Sequence, residues 1–378
     1  MKWIAILTAL LATTALSANA QQAGDDYDVI FAPAPQAPLA QQGVMIGVER
    51  HQNQTIIVGA FGTVLVREGN DEWQQAAVPT SVLLTAVHYI DANHIWATGH
   101  DGVILRSEDA GATWERMLDG YQLLEMELTW LAEREAYLTT QLEQAEDDEA
   151  AYEYEYLLDE LSFQMQAAEI QQDVGPTKPV FDIRFVNADH GYAIGAFGLL
   201  LETRDRGESW NVVTERLENP MAFHLNKLVS NDAGDLFIIA EAGHLFRSTD
   251  AGANWELLES PYHGSLFGGL FDQQGRMWIY GLRGNVFVSD DNGDTFTAVD
   301  ANTRYNLNSG TVTADGTVVL VGHSGTIVFF DPHTLTAERF EHSSNVPLSG
   351  VLQNAGNEFI LIGRGGVMQF MYPAASAR

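Results

Sequence analysis

The chain of 378 residues contains no cysteine. That excludes disulfides, thiolate metal sites, a cysteine nucleophile and a lipoprotein anchor, so the fold must rest on its apolar core. Bases are few beside the acids. Nineteen Lys and Arg, of which three are lysine, face 51 Asp and Glu, for a net charge of −32. Such a surface repels nucleic acid and anionic lipid and favours cationic partners. Long apolar runs are also missing, except in the opening MKWIAILTALLATTALSANA. Lys2, the apolar stretch from Trp3 to Leu16 and the small residues around Ala18-Asn19-Ala20 read as a signal peptide over residues 1–20, cut after Ala20. The run is too short to span a bilayer. The expectation is an exported, periplasmic protein without a membrane span.

What is present is a repeat. Seven copies align on Gly-x-x-Gly, the fourth with Ala240 in place of its first glycine: GAFGTVLV (59–66), GHDGVILR (99–106), GAFGLLLE (195–202), AEAGHLFR (240–247), GLRGNVFV (281–288), GHSGTIVF (322–329) and GRGGVMQF (363–370). Their second glycines are spaced by 40, 96, 45, 41, 41 and 41 residues. A period near 41 is the length of a four-stranded propeller blade, and the spacing of 96 is one blade plus an insertion. Within each copy, short β-rich runs alternate with Gly/Asp/Asn turns. The sequence predicts an all-β fold over 21–378: a seven-bladed β-propeller with an inserted antiparallel α-helical hairpin. The seventh copy stops after its third strand. YDVIFAP (27–33) is therefore expected to pair beside that strand and supply the missing edge, since propellers hide their edges.

After the third strand, four copies carry an acidic loop: SEDAGATW (107–114), TRDRGESW (203–210), STDAGANW (248–255) and SDDNGDTF (289–296). Each residue type has a structural job. The aspartates Asp109, Asp205, Asp250 and Asp291 can accept backbone N–H bonds within the turn. The glycines Gly111, Gly207, Gly252 and Gly293 can take a positive φ. The aromatics Trp114, Trp210, Trp255 and Phe296 can fill the wedge between blades. One such loop per blade lies at the periphery, so the four cannot converge on one substrate. These octets resemble the Asp-box, or BNR, repeat, and the whole chain resembles the photosystem II stability/assembly factor family of exported bacterial propellers. That resemblance implies a non-enzymatic factor that binds and helps to assemble or stabilise a membrane protein complex, with a transporter as a candidate partner. The sialidase clan shares the repeat, which leaves a glycan-binding or glycoside-hydrolysing protein as the alternative, although the arginine motif of sialidases is missing.

The insertion, expected over 117–175 between blades two and three, has a different character. Residues 121–173 lack Gly and Pro and hold 15 acids against one base, Arg134. Leu124, Leu128, Leu131, Leu138 and Leu142, then Ala151, Tyr154, Leu158, Leu161, Met165 and Ala168, fall on an a/d seam. They predict two helices turning near Glu146 to Glu149. Two readings stand: a solvated decoration packed on itself, or a docking arm for a partner protein. By strand order the arm leaves from the face of the Gly-x-x-Gly turns. Those turns place Phe61, His100, Asp101, Phe197, Arg283, His323 and Arg364, with Glu241 and Leu282, around one mouth. This mixed rim suits protein recognition, though ordinary turn chemistry is the favoured account of it. No metalloprotease, nucleophile-elbow, phosphate-loop or EF-hand spacing occurs, so no catalytic residue, metal ligand or cofactor is assigned. The expectation is a monomer that meets a membrane-embedded protein partner.

Overall fold

A computed structural model of the chain describes residues 28–373, so the expected signal peptide lies outside the described residues. The described chain forms six four-stranded antiparallel sheets and one three-stranded sheet, the blades of a seven-bladed propeller. Blade one comprises Met45–His51, Gln54–Gly59, Val64–Glu68 and Gln74–Gln75. Blade two comprises Leu84–Tyr89, Ile95–Gly99, Ile104–Ser107 and Glu115–Leu118. Blade three comprises Val180–Phe185, Gly191–Gly195, Leu200–Thr203 and Asn211–Val212. Blades four, five and six open on Leu225–Ser230, Leu266–Phe271 and Leu307–Val312, and blade seven is Leu348–Ala355, Glu358–Gly363 and Gly366–Met371.

The second strands of blades two to six, IWATG, GYAIG, LFIIA, MWIYG and VVLVG, are buried along their whole length. Neighbouring blades cover both faces of these strands, so they read as continuous apolar runs rather than alternating ones. The core is accordingly a ring of interfaces. One apolar cluster lies between each pair of adjacent blades, including Met45, Ile57 and Leu65 of blade one against Ile360 and Ile362 of blade seven.

A second device recurs on the rim face. The innermost strand of every blade has a bulge that skips one residue: Ile46, Thr85, Phe181, Asn226, Phe267, Asn308 or Ser349. Such a bulge redirects its side chain. Four of the seven donate to a carbonyl on the next blade. Thr85 reaches Val180 O at 2.5 Å, Asn226 reaches Leu266 O at 2.7 Å, Asn308 reaches Leu348 O at 2.8 Å and Ser349 reaches Met45 O at 2.6 Å.

The expected pairing of residues 27–33 with the last strand does not occur over the described part of that segment. Phe31 and Ala32 donate to Asp28 O at 3.1 and 2.9 Å, closing a turn that Asp28 also caps through Ile30 N. Ile30 is buried between blades one and two, and Arg116 holds its carbonyl at 2.9 Å. Pro33, Pro35 and Pro38 remove the donors that a strand would need. The chain then crosses to blade seven, where a single 3-10 turn, Ala40–Gln42, sits on Gly366. The N-terminal segment thus takes the place of a blade-to-blade connection, and blade seven keeps three strands.

The strongest charge node also joins two blades. Glu202, buried in blade three, accepts from Tyr192 (2.8 Å), Arg204 (2.7 Å), His190 (3.0 Å) and Arg216 (3.1 Å), and Arg216 donates onward to Gly252 O of blade four. Burial alone would raise the Glu202 pKa. The hydrogen bonds from Arg216, Tyr192, Arg204 and His190 outweigh it and hold the carboxyl at about 2.

Two predictions follow from this frame. Glu202 has a depressed folded-state pKa, so its contribution is complete above the ordinary glutamate range. It is lost as the pH falls from about 4.3 through about 2. Urea titrations should therefore show Glu202→Gln destabilised by roughly 3 kcal/mol near pH 7, with the gap to wild type closing as the pH falls towards 2. A pH-independent gap would contradict the assignment. At Gly207, φ is +74° and a Cβ would run into the Trp96 ring, so Gly207→Ala should cost about 3 kcal/mol. Gly234→Ala has a φ of +90° but open space around the new methyl, so it should cost only about 1 kcal/mol.

Candidate functional site: a groove between the hairpin and blade three

The insertion forms α1 (Gly120–Glu143) and α2 (Asp148–Val174). Asp119 begins α1 with a reciprocal cap. Its carboxylate accepts from the Tyr121 and Gln122 amides, while Gln122 accepts from the Asp119 amide, each at 3.1 Å. Asp147 caps α2 through Ala150 N at 2.9 Å, and Gly175, at a φ of +93°, ends it. Leu124, Leu131, Leu138, Leu161 and Ala168 are buried between the helices, with Leu128, Tyr154, Leu158 and Met165 packed around them. These are members of the seam read from the sequence.

The hairpin does not project freely. Its root is pinned where Gly102 meets Gly120. A Cβ on Gly102 would lie 2.7 Å from Gly120 Cα, and Gly120 itself abuts Asp101 O and Pro176. Leu123 joins the core between blades two and three. Trp130 Nε1 donates to Glu215 Oε2 at 2.8 Å, and Tyr156 OH to Met221 Sδ at 3.4 Å. Lys178 forms a buried ion pair with Glu127, and its Nζ stands 5.7 Å from the centre of the Phe197 ring. The arm therefore lies along blade three and the connection from blade three to blade four.

Between arm and blade runs a groove of about 440 Å³. α1 supplies Trp130 and Leu131 as its floor. α2 supplies Phe163, Ala167, Ile170 and Val174 along one wall. Phe197, Leu199, Val212, Pro220 and Met221 form the other wall. Its apolar groups are open to solvent: Phe163 is 66% exposed, Ile170 56%, Val174 70%, Phe197 54% and Met221 53%. Contiguous exposure of this kind on a folded surface marks interaction sites.

Of the rim residues expected from the sequence, only Phe197 enters the groove. Asp101 is half-buried at the root of α1, where burial raises its carboxyl pKa, and His100 is half-buried beside it. Phe61 is 70% exposed on blade one. Arg283, His323 and Arg364 are exposed on blades five, six and seven, and none of them lines the groove. Phe61 and Phe197 adopt φ of 57° and 55°, but Ala242 and Ser324 at the matching positions do the same, so the turn sets this strain. Sequence reading missed the second stripe of α2. Tyr156, Glu160, Phe163, Ala167, Ile170 and Val174 are spaced 4, 3, 4, 3 and 4 residues apart, and that spacing was the signal available.

The acidic loops occupy the opposite face. In the first, Ser107 Oγ donates to Asp109 at 2.9 Å and accepts from Gly111 N at 2.9 Å, while Thr113 donates to Asp109 through N (2.8 Å) and Oγ1 (2.6 Å). The loops of Asp205, Asp250 and Asp291 repeat the set. Hydrogen bonds from Asn254 and Thr295, first by side chain and then by backbone, hold Asp250 and Asp291 at about 2. Gly207 and Gly252 pack on Trp96 and Tyr192 of the preceding blades, and Gly111 and Gly293 sit against Ile56 and Leu258. Trp114, Trp210, Trp255 and Phe296 pack into the adjoining inter-blade clusters. Every one of these groups is engaged within the ring.

The Lys178–Glu127 pair yields a test of how the arm is held. Lys178→Met strands a buried carboxylate and should cost roughly 3 kcal/mol. It should also speed hydrogen exchange in α1. Adding Glu127→Leu should recover most of that loss. Exchange in α1 that is unchanged by Lys178→Met would show that the pair does not anchor the arm.

Comparison with known proteins follows the same division between blades. Residues 162–265, from the second half of α2 through blades three and four, match the sequence model of the photosynthesis system II assembly factor YCF48. No curated protein sequence matches the chain. Among solved structures, YCF48 bound to D1 peptide superposes with a TM-score of 0.58 at 15% identity, covering 92% of this chain and 98% of that one. YCF48 from Cyanidioschyzon merolae gives 0.59 at 14%, covering 90% and 98%. The WD40 propeller domain of Doa1 gives 0.58 at 9%, covering 92% and 97%. The chain is thus a β-propeller that resembles the photosystem II assembly-factor family, through its third and fourth blades in sequence and around the whole ring in fold.

Proposed function

We propose that this protein is a non-enzymatic, exported assembly or stability factor. In this reading it works in the periplasm and holds an extramembrane segment of a membrane protein complex, for which a transporter is one candidate. The observation that carries the reading is the exposed apolar groove beside Phe197, built from an arm that the ring does not need for closure. Aromatic and aliphatic anchors around a concave site are the usual centre of a protein-binding surface. The structural neighbour YCF48 is described bound to a peptide, D1, which supports a peptide-binding role for a propeller of this kind. Among the described residues no helix is long and apolar enough to cross a membrane. The net charge of −32 favours a partner that presents positive charge.

The reading predicts a loss visible in the membrane. In cells lacking this chain, quantitative proteomics should show one integral membrane complex depleted several-fold, as expected when an assembly intermediate is left to quality control. The wild-type chain should restore that complex, and the Phe163→Asp/Ile170→Asp variant should not. A membrane proteome unchanged by loss of the chain would reject the proposal.

A further inference from the structure

We infer that the groove receives an amphipathic, positively charged helix of the partner, which packs against α2 as the third helix of a small bundle. This deepens the proposed function and rests on it. The argument starts from the two faces of α2. One face packs on α1 through Tyr154, Leu158, Leu161, Met165 and Ala168. The other presents Tyr156, Glu160, Phe163, Ala167, Ile170 and Val174, at the alternating four- and three-residue spacing of a heptad seam. A helix that carries two such seams can pack on two neighbours: α1 covers the first, while the second meets the connection to blade four at Tyr156–Met221 and leaves Phe163, Ile170 and Val174 exposed.

The length of the stripe selects the kind of occupant. From Tyr156 to Val174 it extends about 27 Å at 1.5 Å per residue. The 440 Å³ groove is lined by Glu160, Phe163, Ala167, Ile170 and Val174, so its occupant must run along nearly the whole stripe. A helix of five or so turns would cover it. Ala167, which lines the groove with Phe197 and Met221, is small enough to leave room for a large knob from the incoming helix.

Charge selects the sequence of the occupant. The hairpin carries 15 acids and one base. Lys178, the one base lining the groove, is already taken by Glu127. Glu160 lines the groove, and among the described residues no base pairs with it. An acidic helix entering here would meet like charge along its length, whereas lysines or arginines flanking an apolar seam would meet Glu160 and the acids of the arm.

The test uses the full chain and synthetic probe helices of about three heptads. One probe has Leu at a and d with Lys at the flanking positions. A second replaces each Lys with Glu. A third keeps the composition of the first with the heptad order scrambled. Fluorescence anisotropy should show the basic heptad probe binding and the other two at least about tenfold weaker. Phe163→Asp and Ile170→Asp should each weaken the basic probe by about tenfold or more. Phe61→Asp, on blade one, should not, and circular dichroism should show all three variants folded. Raising the salt from about 0.1 M to about 1 M shortens the screening length from about 10 Å to about 3 Å and should weaken binding. Equal binding of the acidic or scrambled probe would overturn the inference, as would full affinity in the Phe163→Asp/Ile170→Asp variant. If that variant fails to sustain the membrane complex in cells while no probe helix binds, the helical occupant is refuted and the assembly role survives.

Discussion

The contact between Gly102 and Gly120 decides where everything on the rim face lies. Gly102 turns the chain at a φ of +69° between the second and third strands of blade two, and the backbone of Gly120 closes on the space that a side chain would fill. Pro176, at the far end of the insertion, packs on the same Gly120. The two ends of an insertion of more than fifty residues are therefore tied at one point, and the hairpin can leave the ring only beside the turns. From that root, Leu123 enters the core of blades two and three, and Lys178 meets Glu127 under Phe197. The groove lies among these contacts, which tie α1 to blade three and its outgoing connection, with α2 meeting that connection at Met221.

The two faces of the ring divide the work. On the face of the acidic loops, each carboxylate is saturated by its own loop, and each glycine and aromatic is pressed into a neighbouring blade. The aspartates there look like chemistry in the sequence, yet they serve the wedge between sheets. On the rim face the inner-strand bulges fasten blade to blade through Thr85, Asn226, Asn308 and Ser349. With closure secured in this way, apolar groups such as Phe163, Ile170 and Met221 can face solvent without loosening the ring.

Much of this was readable in advance, for physical reasons. The blade period survives in sequence because every Gly-x-x-Gly turn must admit another stretch of backbone. The α1–α2 seam survives because a long hairpin has little else to bury. The N-terminal segment misled because YDVIFAP has strand-like composition. The three prolines after it, and a vacant site for Ile30 between blades one and two, outweighed that propensity. The groove was legible only in halves. Phe197 stood out as an aromatic in a turn, and the second heptad of α2 is present in the letters. That they share a cavity depends on the lean of the arm, which Trp130, Tyr156 and Lys178 set through contacts with residues 19 to 85 positions away. No local pattern encodes such contacts.

The central claim is that α2 is held at a fixed distance from blade three. The absence of cysteine makes that distance accessible, because Gln164→Cys and Met221→Cys would introduce the chain's only two thiols. Spin labels at these positions should give one narrow, short distance distribution by double electron–electron resonance, as expected for residues that line one 440 Å³ groove. A broad distribution reaching towards the length of the arm, about 36 Å, would mean that the hairpin swings free and that the groove is not a built feature of the protein.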